Sequence, residues 1–245
     1  MSATVEALWR HPIKSHGREA LTHARLTAGM CFPWDRVWAV AHDMAKTDGT
    51  EWASFQNFSI GSKLPGLMAI EARLDEATET VTLTHPDLGE LTVRPDEDPQ
   101  AIIAWTKPLM DPKRAQSARV VRVPGRGMTD TDYPSVSIGN LSSHRVVEQK
   151  LGRSLSPKRW RANIWLDGLA PWGEFDLVGK TLRIGTAEIA LREPVVRCMA
   201  TTTNPETGRR DADTLSVLNE DREFCVYGEV VTSGDIRIGD TAEVI

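Results

Sequence analysis

Short runs of mixed apolar and β-branched residues dominate the first half of the chain. Thr4–Trp9, Arg36–His42, Leu67–Leu74, Thr80–Thr84 and Glu90–Val93 are each bounded by Gly, Pro, Asp or Asn, which predicts strands. The turn formers of His85-Pro86-Asp87-Leu88-Gly89 predict a hairpin between the last two. Asp98-Pro99 offers an N-cap followed by Pro at the first helical position, so Ala101–Leu109 reads as a short helix. Ala118–Val123 returns to strand, and the Gly/Pro/Asp-rich stretch from Pro124 to Pro134 is the clearest loop. In the second half Asn140–Leu151 places Leu141, Val147 and Leu151 on one helical face, with Gly152 where a C′ glycine belongs. Strands are expected at Ala162–Leu166, Lys180–Ile184, Glu188–Glu193 and Arg237–Glu243, a turn at Gly185-Thr186, and a short helix capped by Asp213 through Leu218. Many short strands with few helices predict a mainly β (α+β) protein built on a β-barrel. The long loop divides it into a smaller β-rich part, residues 1–123, and a barrel part, residues 124–245.

Composition narrows the class. The chain has 245 residues, 40% hydrophobic and 26% charged, ordinary for a globular protein. No apolar run reaches the length of a membrane span, and no secretory signal pattern opens the chain. Three scattered cysteines do not make a disulfide framework and fit a reducing compartment, so a cytoplasmic location is expected. A net charge of −5 argues against a nucleic-acid partner. Yet between Leu141 and Trp165 six cations (Arg145, Lys150, Arg153, Lys158, Arg159 and Arg161) face one acid, Glu148. This is either a solvated basic face or an anion site, since Arg suits bidentate phosphate contacts. Arg161 and Asn163 stand out because they open a strand.

The candidate chemistry is sparse. Cys31 and Cys225 lie in apolar stretches and read as core thiols. Cys198 follows Arg197 and leads into Thr201-Thr202-Thr203-Asn204-Pro205, a setting that either favours thiolate or buries a structural Cys. There is no HExxH, no CxxC, no Walker loop, no dinucleotide fingerprint and no Gly-x-Ser-x-Gly elbow. Three distant Cys cannot supply the four thiolates of an iron–sulfur cluster. Lys14-Ser15, after a strand and Pro12, is either an exposed turn or a second anion cradle.

Taken in order, His11-Pro12-Ile13-Lys14-Ser15, Trp34-Asp35-Arg36-Val37-Trp38, Arg159-Trp160-Arg161-Ala162-Asn163-Ile164 and Arg197-Cys198-Met199-Ala200-Thr201-Thr202-Thr203-Asn204-Pro205-Glu206-Thr207-Gly208 resemble the MOSC-domain proteins (molybdenum cofactor sulfurase C-terminal domain) with the N-terminal MOSC β-barrel domain in front. Within that family they resemble the branch containing the mitochondrial amidoxime-reducing component. The resemblance implies that Cys198 ligates the molybdenum of the molybdenum cofactor (Mo-molybdopterin). It implies that Lys14, Ser15, Arg36, Arg161, Asn163 and Arg197 contact that cofactor, with Ser135 and Ser137 near further cofactor-binding hydroxyls. Two departures stand out: His16 follows Lys-Ser where relatives often carry Cys, and the ferredoxin-like domain of some relatives is not expected in this protein.

The implied function is a molybdenum-cofactor-dependent oxidoreductase that reduces N-hydroxylated compounds. Its electrons would come from a separate haem or iron–sulfur protein with its reductase. The alternative is a non-catalytic carrier or insertion factor holding the cofactor, or sulfur as a persulfide on Cys198. A third reading, a nucleic-acid-binding barrel using its eight Trp for stacking, is opposed by the acidic net charge.

Overall fold

A computed structural model describes residues 2–245. In the first half the strands are β1 (Ser2–Arg10), β2 (Glu19–Leu21), β3 (His23–Leu26), β4 (Trp38–His42), β5 (Glu71–Asp75), β6 (Thr80–His85) and β7 (Gly89–Val93), followed by helix α1 (Pro99–Thr106) and β8 (Ser117–Arg122). In the second half β9 (Val136–Asn140) leads into helix α2 (Leu141–Leu151), then β10 (Ile164–Asp167), β11 (Thr181–Ile184), β12 (Ala187–Val196), β13 (Glu223–Thr232), β14 (Gly234–Arg237) and β15 (Thr241–Val244).

Seven strands close into a barrel in the order β10-β9-β13-β12-β11-β15-β1, with β1 pairing back onto β10 and β2 extending from β1. β9 and β10 run parallel, so a crossover must join them, and α2 lies in that connection. The barrel interior is filled by alternate residues, among them Val5, Leu8, Ile138, Ile164, Leu166, Ile184, Ile189 and Val226. A bulge between Val5 and Ala7 changes the face on which the later residues of β1 lie, so Leu8 still points inward. A second core gathers Trp38, Val40, Leu67, Leu83 and Ile102 beneath the β5-β6-β7 meander, the β4–β8 pair and α1.

Several expectations shift. The strand expected at Arg36–His42 starts only at Trp38, because Trp34 and Arg36 take left-handed φ of 58° and 56°. Leu67–Ala69 belongs to a 3-10 turn, and the Arg237–Glu243 run splits at Gly239 into β14 and β15. The sequence reading missed β9 and the long β13, whose Cys225 sits at φ 69° and interrupts simple alternation. The barrel sheet takes β1 and β2 from residues 1–123 and its other strands from residues 124–245. β1 closes a barrel otherwise made by the second half, because a barrel leaves an exposed edge unless both ends of its sheet are paired, and β3 pairs with β14 in a separate two-stranded sheet.

Candidate cofactor site

The segment after β1, the loop before β4, the loop between β8 and β9, the turn before β10 and the segment after β12 meet at one place. Backbone bonds set the frame: Arg36 N–H donates to His11 O (2.7 Å) and Lys14 N–H to Trp38 O (2.7 Å). Gly127 is there because no side chain fits. A Cβ at that position would lie 2.2 Å from Asp35 O.

Within this frame three cations come together. Buried Lys14 donates from Nζ to Met128 O (2.7 Å) and Asp130 Oδ1 (2.5 Å). Arg36 pairs with buried Asp35 and donates from Nη2 to Arg161 O (3.3 Å). Arg161 donates from Nη2 to Gly17 O (3.2 Å), tying the two halves of the chain together again. Ser15, Arg36 and Arg161 all hold left-handed φ, at 62°, 56° and 54°. Such backbone costs about 1–3 kcal/mol per residue and gathers at binding sites.

The basic segment resolves into separate fates. Arg145 pairs with Asp167, Arg153 and Arg159 with Asp211, and Lys158 with Glu71, while Lys150 donates to Val217 O. Among the described residues Arg161 has no carboxylate partner, and its buried Nη1 has no acceptor. Burial first, then the neighbouring Arg36 and Arg18 charges, pull its pKa down to about 9.

Arg197 is fixed by its Nε on Phe224 O (2.7 Å) and Nη1 on Trp160 O (2.9 Å), and it lies over both rings. Its buried Nη2 has no acceptor among the described residues. The next residue, Cys198, is an exposed free thiol flanked by exposed Val196 and Met199; Cys31 and Cys225 are buried.

The remaining predicted residues are engaged within the protein. Asn163 Oδ1 accepts from Ser137 N–H (3.1 Å) and Ser137 Oγ (2.9 Å), and its Nδ2 donates to Trp9 O (3.1 Å). Ser135 Oγ bonds Thr131 Oγ1 (2.7 Å). These three side chains brace the strands behind Arg161.

Other residues at the site were not among the expected cofactor contacts. His11 donates from Nδ1 to Asp35 Oδ1 (2.9 Å), and Asp130 receives Lys14. Burial disfavours charge on Asp35, but Arg36 and His11 outweigh it and hold its carboxyl below the usual range. His16 is fully buried and shares its Nδ1 proton with Lys14 O (2.8 Å), leaving Nε2 without a partner. Burial lowers its pKa to about 4, so the ring is neutral. Burial, then Asp130, raises the pKa of Tyr227, which feels Arg36 and Arg197 as well. Asp35 could have been found from its place beside Arg36; Asp130 and Tyr227 carry no local signal.

Two family models match. The MOSC N-terminal beta barrel domain covers residues 2–117 and the MOSC domain residues 129–243. The chain is a MOSC-domain protein. Such domains are associated with binding the molybdenum cofactor or carrying sulfur, and some members are enzymes. No curated protein matches the chain. Among solved structures it is similar to the YUAD protein of Bacillus subtilis, at 12% identity over 100% of this chain and 96% of that one, with a TM-score of 0.49. YiiM of Geobacillus stearothermophilus aligns at 16% identity over 45% of this chain and 53% of that one, with a TM-score of 0.36.

Proposed function

We propose that the protein holds the molybdenum cofactor through Cys198 and reduces N-hydroxylated compounds, as its similarity to the mitochondrial amidoxime-reducing branch implies. One observation carries the reading: an exposed thiol follows Arg197, which with Arg161 leaves buried guanidinium donors without acceptors. An unsatisfied buried donor costs about 1–3 kcal/mol, more when charged, and an anionic group removes that cost. A pterin bearing a phosphate suits this donor set. Arg161 and Arg197 would take its acceptor atoms, Lys14, Ser15 and Arg36 would line the same site, and Asn163, Ser135 and Ser137 would position the strands beneath. Among the described residues no three His, Cys, Asp or Glu side chains gather as ligands, so a metal at Cys198 would bring its other ligands with it.

When bound, the cofactor supplies a redox-active molybdenum able to accept an oxygen atom. The overall reaction breaks the N–O bond: two electrons and two protons give the N–H product and water, one proton ending on nitrogen and one on the departing oxygen. The electrons would come from a separate haem or iron–sulfur protein with its reductase. Protein purified from a host that makes the cofactor should contain about one Mo and one pterin per chain, and Cys198→Ala should lose the Mo. Absence of Mo and pterin from the wild type would overturn the reading. The exposed thiol also suits a persulfide carrier, and cyanide-labile sulfur on Cys198 without Mo would establish that alternative.

A further inference from the structure

A cavity of about 430 Å3 lies on the far side of the Trp34–Arg36 loop, where that loop meets the segment Arg122–Gly127. Phe32, Trp34, Cys31 and Val37 give it apolar walls, and Arg25 and Arg126 bring charge. We infer that this cavity is a binding site for a small amphiphilic anion, a flat apolar body carrying one carboxylate or comparable acid group.

The walls are fixed. Trp34 holds a left-handed φ of 58°, unusual for a bulky side chain, and its ring stacks on Trp38 at 6.0 Å with the Arg122 guanidinium 5.7 Å above it. The ring therefore cannot fold into the cavity without breaking that stack. The size matches small-molecule pockets, which run to about 300–1,000 Å3 and are mostly apolar with a few polar groups that orient the ligand.

The charge selects the ligand's sign. Asp35 is the one carboxylate in the lining, and it is turned away onto His11 and Arg36. Arg122 is held by Glu79 and Asp96. Arg126 differs: it donates to Asp132 O (2.9 Å), Thr131 O (3.1 Å) and Gly127 O (3.4 Å), and among the described residues it has no carboxylate partner. Three of its five N–H donors are used, which leaves two for a ligand. Arg25 meets only exposed Asp235 (2.9 Å), a pair that a bound acid displaces at little cost. The lining therefore offers a guanidinium with no salt-bridge partner among the described residues, lying over Trp52 at 5.4 Å, beside an aromatic wall. This inference does not depend on the cofactor reading.

The test is calorimetric titration of the wild-type protein with 1-naphthoate and, separately, with uncharged 1-naphthamide. The acid should bind saturably at one site per chain and at least tenfold tighter than the amide. Arg126→Gln should weaken the acid at least tenfold and leave amide binding unchanged. Because Arg126 also ties its own loop, Arg25→Gln, at an exposed position, provides a second variant and should weaken the acid about threefold. Equal affinity for acid and amide, no saturable binding at millimolar concentration, or full affinity in both variants would each overturn the proposal.

Discussion

Cys198 and Cys225 carry the same side chain under opposite conditions. Cys225 is fully buried, and burial raises its thiol pKa to about 12, so it packs as a small apolar group. Cys225→Ala should cost about 1–2 kcal/mol in urea denaturation through the cavity it leaves. Cys198→Ala, at an exposed position, should change stability by less than about 0.5 kcal/mol while removing Mo and activity. Retained Mo and full activity would show that the thiol is not the ligand. Arg161 gives a sharper contrast. Its backbone is left-handed and its side chain is a charge held without a carboxylate. Arg161→Gly removes both penalties and loses one hydrogen bond to Gly17 O, so the cofactor-free variant should stay within about 1 kcal/mol of the wild type. Its pterin content after purification should nonetheless fall several-fold. A clear loss of stability would mean that Arg161 serves the fold.

At the scale of elements, turns and caps are where local sequence governed. Gly152 ends α2 at φ 65°, at the position expected, while Asn140, expected as the first helical residue, instead caps α2 by accepting from Ser142 N–H (3.0 Å). The hairpin of β6 and β7 likewise formed at the expected turn, its register running from Val81–Val93 to His85–Gly89. Gly127 belongs to another category. Its requirement comes from Asp35 O, far away in sequence, and no local signal shows it. Gly127→Ala should force the two loops apart and cost about 1–3 kcal/mol by thermal denaturation, as overpacking does. It should also lower pterin content, since those loops carry Arg36 and the partners of Lys14. Unchanged stability and loading would show that the loops relax freely.

Over the whole molecule, acid should destabilise the fold through more than one group. His16 titrates near 6.5 when unfolded and at about 4 when folded. Between those values the unfolded state binds more protons, so stability is full above pH 6.5 and falls as pH drops toward 4, by about 3 kcal/mol for this ring. Asp35 and Asp130, with folded pKa values held below the ordinary range, add a loss that begins only below about pH 4. Melting temperature should therefore drop between pH 7 and 4, and His16→Asn, which keeps a donor for Lys14 O but does not titrate, should flatten that slope. An unaltered slope would assign it elsewhere. Electron supply is also a property of the whole chain. The holo protein alone should not oxidise NADH with an N-hydroxylated substrate, yet should turn over with reduced viologen. Turnover with a protein donor should fall as salt rises, because redox encounters use small, charge-guided interfaces. Stoichiometric NADH oxidation by this chain alone would contradict this.

The sequence by itself determined the β-rich class, the C′ glycine of α2, the capping aspartates and the hairpin turn. These depend on near neighbours: dihedral preferences, capping atoms and alternation along a strand. Tertiary structure alone decided that β1 completes the barrel and that Arg145, Arg153, Lys158 and Arg159 are neutralised while Arg161 is not. It also decided that Asn163 and Ser137 spend their polar atoms on each other. Charge compensation and barrel closure depend on which groups lie within a few ångströms. Residues such as Arg161 and Gly17, or Lys14 and Asp130, come that close only when the chain is folded.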